Sequence, residues 1–186
     1  MATSTEVISS AEDRMKKAVE TVKKEFQTVR TGRANPALLD RVEVEYYGTA
    51  QAMKMVANIT VPDARTLVIT PYEKSSLKDI EKALMNAALG LTPNNDGSVI
   101  RIVIPALTEE RRKDLTKLVR KYAEEARVSI RNVRGDARDD LKKMKGKEIS
   151  EDELKRQEEN LQKLTDKFVK EIDKLSEQKE AEVMEV

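Results

Sequence analysis

The sequence predicts an α+β protein in which an antiparallel three-helix bundle carries a small inserted β/α/β domain. Apolar residues recur every three or four positions over residues 8–29, 108–146 and from 150 onward, which is the spacing of amphipathic helices. Between the first two helical segments, residues 32–106 contain short runs with a two-residue period. Tryptophan is absent and aromatic residues make up 3% of the chain, so aliphatic side chains must fill the cores.

The first helix is predicted from apolar residues that share one face. They are Ile8, Ala11, Met15, Ala18, Val19, Val22, Phe26 and Val29. We expect this helix to end near Thr31 and Gly32, because glycine readily adopts the left-handed conformation that ends helices. Asn35-Pro36 then follows as a further helix breaker.

The next segment changes period. Apolar side chains alternate with acidic ones over residues 42–46 and precede a turn at Gly48-Thr49, which predicts a strand. Ser76 is expected to cap a helix that ends at Gly90, and the Asn-Asn-Asp-Gly run at 94–97 is expected to form a turn. Further short strands are predicted at 59–61, 66–70 and 99–104.

The second and third helices have clear start signals. Thr108 is the expected N-cap of a helix that runs to Gly146. Ser150 and Glu153 have the spacing of a capping box, with Ile149 and Leu154 at the positions of a hydrophobic staple. The predicted apolar faces are Leu115, Leu118, Tyr122, Ala126, Ile130, Val133, Ala137, Leu141 and Met144, then Leu161, Leu164, Phe168, Ile172 and Leu175.

These elements divide the chain into a bundle of residues 1–30 and 107–186 and an inserted domain of residues 31–106. Only two short connections join the domains, at 31–34 and 105–108, so we expect a hinge there. The hinge residues are Thr31, Gly32, Arg33, Ala34, Pro105, Ala106, Leu107 and Thr108.

The composition excludes several kinds of site. Cysteine and histidine are absent, which removes disulfides, thiolate nucleophiles, zinc-thiolate sites and the usual acid/base group at neutral pH. We expect no catalytic residue, no metal and no cofactor. No stretch approaches the roughly 20 apolar residues that span a bilayer, and no signal peptide is evident, so we expect a cytoplasmic protein with no membrane partner.

Charge is balanced overall but separated along the chain. The chain has 35 basic and 34 acidic residues. Residues 107–147 contain 14 basic and 8 acidic residues, a net charge of +6, whereas residues 148–186 contain 7 and 13, a net charge of −6. The inserted domain has 8 of each. The second helix is therefore the cationic element.

Six arginines of the second helix lie within an arc of roughly 100° on a helical wheel. This arginine stripe consists of Arg112, Arg120, Arg127, Arg131, Arg134 and Arg138. Neighbouring arginines repel one another, and guanidinium groups suit bidentate contact with phosphate, so the stripe favours a nucleic-acid interface. The alternative is that part of the stripe faces the acidic third helix.

Four stretches closely resemble the ribosome recycling factor family, and the resemblance runs over essentially the whole chain. They are residues 30–34 (RTGRA), 44–49 (VEYYGT), 107–115 (LTEERRKDL) and 126–134 (ARVSIRNVR). The resemblance implies an L-shaped, transfer RNA-like molecule with a hinge. It also implies a factor that enters the post-termination ribosome, binds ribosomal RNA of the large subunit and helps elongation factor G to split the subunits.

The resemblance also assigns roles to residues. Arg112, Arg131 and Arg134 match positions that contact RNA in the family, whereas Gly135 replaces the basic residue often found there. The partner hydrolyses the GTP, so this chain is expected to be a monomeric translation factor and not an enzyme. The alternative function is a helical RNA-binding arm or chaperone-like clamp that works without elongation factor G.

Overall fold

The computed structural model describes residues 3–87 and 89–185. The chain forms two compact units. The bundle unit contains the residues up to Val29 together with Lys113–Ala181, and the inserted unit contains Arg30–Arg112 and the residues from Glu182. The inserted unit therefore includes Arg30, residues 107–112 and the C-terminal residues from 182, which the division made from the sequence assigned to the bundle.

The predicted elements occur in their predicted order, together with short elements at Thr49–Ala52, Met53–Val56 and Pro93–Asn95 that the sequence did not predict. In chain order the elements are α1 (Ser4–Thr28), β1 (Glu43–Tyr46), β2 (Thr49–Ala52), α2 (Met53–Val56), β3 (Ala57–Asp63), β4 (Thr66–Pro71), α3 (Leu77–Asn86), β5 (Pro93–Asn95), β6 (Ile100–Val103), α4 (Glu109–Met144) and α5 (Glu151–Met184). Short 3-10 turns cover Pro36–Leu39 and Lys74–Ser76.

Side-chain contacts give the helix directions in the bundle unit. Ser4 Oγ donates to Glu153 Oε1 at 2.8 Å, which joins the starts of α1 and α5. Arg14 of α1 pairs with Asp136, near the end of α4, at 3.1 Å. Helix α4 is therefore antiparallel to both α1 and α5, and the predicted three-helix bundle is confirmed.

The bundle core differs from the predicted faces at a few positions. Val119 and Ala123 of α4 are fully buried, whereas the predicted Leu118 and Tyr122 are only partly buried. In α1, Val7 is buried in place of Ile8. The buried stripe of α4 is therefore shifted by one residue from the predicted one at both positions, from Leu118 to Val119 and from Tyr122 to Ala123.

The helix ends show which local signals were decisive. Thr108 Oγ1 accepts from Arg111 N at 3.1 Å, and Ser150 Oγ accepts from Glu153 N at 3.1 Å, so both predicted N-caps are confirmed. The Glu153 carboxylate accepts from Ser4 Oγ, a partner on another helix that the capping box did not predict.

Two predicted helix boundaries are wrong. Helix α1 ends at Thr28, and its C-cap residue Val29 has an extended backbone. Gly32 does not adopt the left-handed conformation. Helix α3 ends at Asn86, before Gly90. Ser76 makes no N-capping bond, because its hydroxyl donates to the Glu73 carbonyl oxygen at 2.7 Å.

The inserted unit contains a hairpin of β1 and β2 and an antiparallel sheet in the order β3-β4-β6-β5. Helix α3 and the sheet share one core, whose fully buried side chains include Leu67, Ile69, Ile80 and Ile100. The predicted strands at 59–61, 66–70 and 99–104 are present. Asn94 and Asn95 belong to β5, so the predicted turn at 94–97 begins later, at Asp96.

Truncation of Ile130 tests the assignment of the bundle core. Ile130 of α4 is 0% exposed, so Ile130→Ala should lower the free energy of unfolding by roughly 2–5 kcal/mol through lost burial and a residual cavity. Denaturant unfolding gives this number. The matched control is Val128→Ala, because Val128 of the same helix is 44% exposed. Equal losses in the two variants would contradict the core assignment.

Candidate nucleic-acid interface

Five members of the arginine stripe lie in the bundle unit, where α4 packs beside α5. They are Arg120, Arg127, Arg131, Arg134 and Arg138. Arg112 belongs to the inserted unit and lines a small cavity of about 120 Å³ with Arg33, Arg65 and other residues of that unit. The stripe predicted from the wheel is therefore divided between the two units.

The N-terminal part of the stripe pairs with carboxylates of α5. Arg120 Nε donates to Glu180 Oε1 at 2.6 Å. Arg127 contacts Asp173 Oδ1 through Nε at 2.8 Å and through Nη2 at 2.7 Å. The Arg127 side chain is 23% exposed and that of Arg120 is 70% exposed. The intramolecular alternative therefore describes Arg127 best, because its charge is the most enclosed.

Glu124 of α4 lies between two arginines of the stripe. Its Oε2 accepts from Arg127 Nη1 and its Oε1 accepts from Arg131 Nη1, each at 3.2 Å. The Arg127 and Arg131 guanidinium groups lower the pKa of Glu124. Spacings of three and seven residues on one helix bring these groups together, so the wheel could have predicted this bridge.

The C-terminal part of the stripe has weaker acidic contacts. Arg134 Nη1 donates to the neutral side-chain oxygen of Gln162 at 3.3 Å. Arg138 Nε lies 3.9 Å from Glu158 Oε1, near the limit for an ion pair. Both arginines line a groove of about 450 Å³ between α4 and α5, together with Lys155, Glu158, Glu159, Leu161 and Gln162.

These ion pairs still permit contact with an external anion. The Arg120, Arg131 and Arg138 side chains are 48–70% exposed, and exposed ion pairs contribute only about 0–1 kcal/mol each. A phosphate can therefore replace a carboxylate at little cost. The contacts with α5 and Glu124 hold the arginine side chains in place, and much of their charge remains accessible. A surface that binds a polyanion needs both properties.

The residues predicted as a hinge lie outside the helices and strands. Ala34 N donates to the Ala64 carbonyl oxygen, and Ile104 N donates to the Arg65 carbonyl oxygen, both at 2.7 Å. Arg33 also pairs with Glu185 at 2.6 Å. Both connections are therefore held to the turn between β3 and β4 within the inserted unit.

The inserted unit also has an exposed apolar group that the sequence analysis did not identify. Tyr47, Met55 and Tyr72 are 79%, 69% and 67% exposed. A backbone bond from Tyr72 N to the Val56 carbonyl oxygen and a bond from Tyr47 Oη to Glu73 Oε2 hold their segments together. We call these three residues the tyrosine patch. Nothing in the two-residue period of the strands distinguishes such a patch from an ordinary surface.

Tyr47 has an unusual backbone in this patch. Its φ is +50° and that of Gly48 is +80°, the pattern of a two-residue hairpin turn in which asparagine and glycine are favoured. The turn therefore presents an aromatic ring to solvent at a position where asparagine or glycine would be less strained. The residue before it, Tyr46, has a pKa that hydrogen bonding to Glu73 raises to about 12.

The residues that the structure describes do not form a metal site or a membrane-spanning helix. Within the part of the chain described, no group of three or more acidic residues is placed to hold a metal ion. Among the helices described, none combines the length and apolarity needed to cross a bilayer.

Comparison with known proteins identifies the family. The family model for ribosome recycling factor matches residues 22–184. The chain belongs to the ribosome recycling factor family. The ribosome-recycling factors of Bacillus licheniformis and Halalkalibacterium halodurans are 57% and 58% identical to it, each over 98% of this chain and 100% of the relative. That of Bacillus subtilis is 56% identical over the same shares.

Solved structures agree with this family. A solution structure of a ribosome recycling factor superposes with a TM-score of 0.81 at 45% identity and covers 100% of both chains. A second structure contains models of the T. thermophilus ribosome recycling factor and the E. coli elongation factor G bound to the E. coli post-termination complex. Its TM-score is 0.69 at 48% identity, over 99% of this chain and 100% of the other. A role in protein biosynthesis and ribosome recycling follows from the family.

Titration of two glutamates tests the electrostatics of the bundle unit. The pKa of Glu124 should lie below 4.5 because of its arginine partners, and that of Glu25 should lie above 4.5 because of burial and the nearby Glu125 carboxylate. Because the folded-state pKa of Glu124 is lowered, its stabilising contribution is present above about pH 4.5 and is lost as the pH falls through the lowered value.

Carboxyl carbon NMR measures both values. Arg131→Ala should move the pKa of Glu124 back toward 4.5, whereas Arg120→Ala should leave it unchanged, because Arg120 contacts Glu180. A Glu124 pKa at or above that of Glu25 would contradict the bridging geometry.

Proposed function

We propose that this protein binds the post-termination ribosome through RNA of the large subunit and, with elongation factor G and GTP, separates the subunits. The full-length match to ribosome recycling factors supports the ribosome as the target. The exposed guanidinium groups on α4 support RNA as the ligand, because phosphate contacts provide most of the affinity for a nucleic-acid backbone.

The RNA contacts are assigned to the arginines with accessible charge. Arg131 and Arg134 carry most of the binding, because neither has a carboxylate of α5 as its partner. Arg120 and Arg138 add weaker contacts after release of their α5 carboxylates, and Arg127 mainly holds α4 to α5. Arg112 is a contact assigned by family resemblance, and it acts from the inserted unit.

The inserted unit is proposed to meet elongation factor G. Residues 31–106 contain equal numbers of basic and acidic residues, which gives no general attraction to RNA. The tyrosine patch offers aromatic and methionine side chains, which are enriched in protein interfaces. A relative is seen with elongation factor G on a post-termination complex, which supports this partner.

The remaining expectations belong to the same proposal. The factor works as a monomer in the cytoplasm, without a metal, cofactor or catalytic residue, and the partner hydrolyses GTP. The connections at 31–34 and 105–108 act as the hinge through which a force on the inserted unit reaches the bundle.

Arginine substitutions test the RNA interface. Arg131→Ala or Arg134→Ala should weaken binding to large ribosomal subunits and reduce the dependence of log affinity on log salt by about one unit, with thermal unfolding nearly unchanged. Arg14→Ala is the control, because Arg14 of α1 pairs with Asp136 away from the α4–α5 groove. A lower melting temperature with unchanged binding would mean that the stripe only holds the bundle together.

Substitution in the tyrosine patch tests the protein partner. Tyr72→Ser should reduce subunit splitting in the presence of elongation factor G and GTP by roughly tenfold, since exposed aromatic anchors typically contribute more than 1 kcal/mol to an interface. Binding to large subunits alone should not change. Val103→Thr is the control, because Val103 is exposed and pairs with Thr66 at the opposite end of β4. Normal splitting by Tyr72→Ser would exclude the patch as the contact.

A further inference from the structure

We call the five stripe arginines of the bundle unit and the α5 residues beside them the α4–α5 seam. In chain order these arginines are Arg120, Arg127, Arg131, Arg134 and Arg138, and their charges are compensated unevenly. The first three arginines each contact a carboxylate at 3.2 Å or closer. These pairs are Arg120 with Glu180, Arg127 with Asp173 and Glu124, and Arg131 with Glu124. Three guanidinium groups therefore meet three carboxylates, and this end of the seam is close to neutral. The two remaining stripe arginines of the bundle unit, Arg134 and Arg138, lie further along α4 and have weaker acidic contacts.

Arg134 is the clearest source of uncompensated positive charge. Within the described part of the chain, no carboxylate lies at ion-pair distance from Arg134, and its hydrogen-bond acceptor is the amide oxygen of Gln162. The amide is oriented by a second bond, because Gln162 Nε2 donates to Asp166 Oδ1 at 2.9 Å. Gln162 therefore holds the Arg134 guanidinium in place without neutralising it.

Lys155 of α5 adds a second cation to the same groove. It is exposed, lines the groove with Arg134 and Arg138, and has no ion pair among the residues that the structure describes. Glu158 and Glu159 also line the groove, but the Glu158 oxygen is 3.9 Å from Arg138 Nε, which leaves this pair easy to displace. Three cations from two helices thus face one groove of about 450 Å³.

We propose that this groove is a phosphodiester-binding site for RNA, in which Arg134, Arg138 and Lys155 contact one backbone phosphate and Gln162 positions Arg134. The site rests on the proposed RNA-binding function and adds Lys155 and Gln162 of α5 to an interface otherwise assigned to α4. A volume of this size accommodates a phosphate with part of its ribose, since small-ligand pockets span roughly 300–1,000 Å³. Arg127, which pairs with Asp173 of α5, then mainly holds α4 to α5.

A single added carboxylate tests the site. Gln162→Glu keeps the size of the side chain and provides Arg134 with an internal anion, so affinity for large ribosomal subunits should fall by roughly tenfold or more. The charge-matched control is Asn160→Asp, which adds the same charge to an exposed position of α5 that does not line the groove. Melting temperatures of the two variants show whether the fold is retained.

Lys155→Gln provides an independent measurement that does not depend on Gln162. It should reduce the slope of log affinity against log salt by about one unit without changing thermal unfolding. Inorganic phosphate added at constant ionic strength tests whether the groove binds RNA through a phosphate group. Millimolar phosphate should compete with wild-type binding more strongly than with binding by the Lys155→Gln variant, and equal competition in both would contradict a phosphate site in this groove.

The outcomes separate this site from the proposed function. Loss of affinity in Gln162→Glu and Lys155→Gln, but not in Asn160→Asp, supports the site. Normal affinity in both groove variants, with weak binding by Arg131→Ala, would overturn the site and leave the RNA-binding function intact. Normal affinity in the groove variants and in Arg131→Ala would overturn both.

Discussion

The pairing of cationic α4 with acidic α5 is the interaction on which the rest of the bundle depends. Residues 107–147 have a net charge of +6 and residues 148–186 a net charge of −6, so each helix compensates the other. Arg127 shows why this matters, because its side chain is only 23% exposed and a mostly enclosed guanidinium without an anion would be costly. Asp173 and Glu124 supply that anion. These two pairs allow the mostly enclosed Arg127 side chain to lie where α4 packs beside α5.

The same seam decides how much positive charge reaches solvent. Where a carboxylate is well placed, as at Arg120, the arginine is already occupied, although its exposure lets an external anion compete. Where the partner is a neutral amide, as Gln162 is for Arg134, the charge of the arginine remains available to an external anion. Compensated and accessible charge are thus divided along one helix. A stripe that looks uniform on a wheel is functionally uneven in the folded protein.

The inserted unit has a different kind of surface. Its charge is balanced, and its tyrosine patch offers exposed apolar side chains that suit a protein partner better than a phosphate backbone. Both chain connections are held to the turn between β3 and β4 through Ala34 and Ile104. Each connection is therefore hydrogen-bonded to the β3–β4 hairpin of the inserted unit at the place where it enters or leaves that unit.

Periodicity and capping chemistry determined most of the fold in advance. The helical spacing, the Thr108 and Ser150 caps and the strand at 66–70 all appear in the structure, because each depends on contacts within a few residues. The helix boundary at Gly32 was wrong because glycine permits a left-handed conformation without requiring it. The hairpin partner β2 was not predicted either, because its pairing depends on a neighbour and not on its own pattern.

The sequence by itself also determined the cationic helix and the family, since charge and motif are properties of the chain. Only the tertiary structure decided which arginines are compensated. Glu180, Asp173 and Gln162 lie 28–60 residues away from the arginines they contact, so no local pattern could assign a carboxylate to one arginine and an amide to another. That assignment depends on the register of α5 against α4, which core packing sets and a helical wheel does not contain.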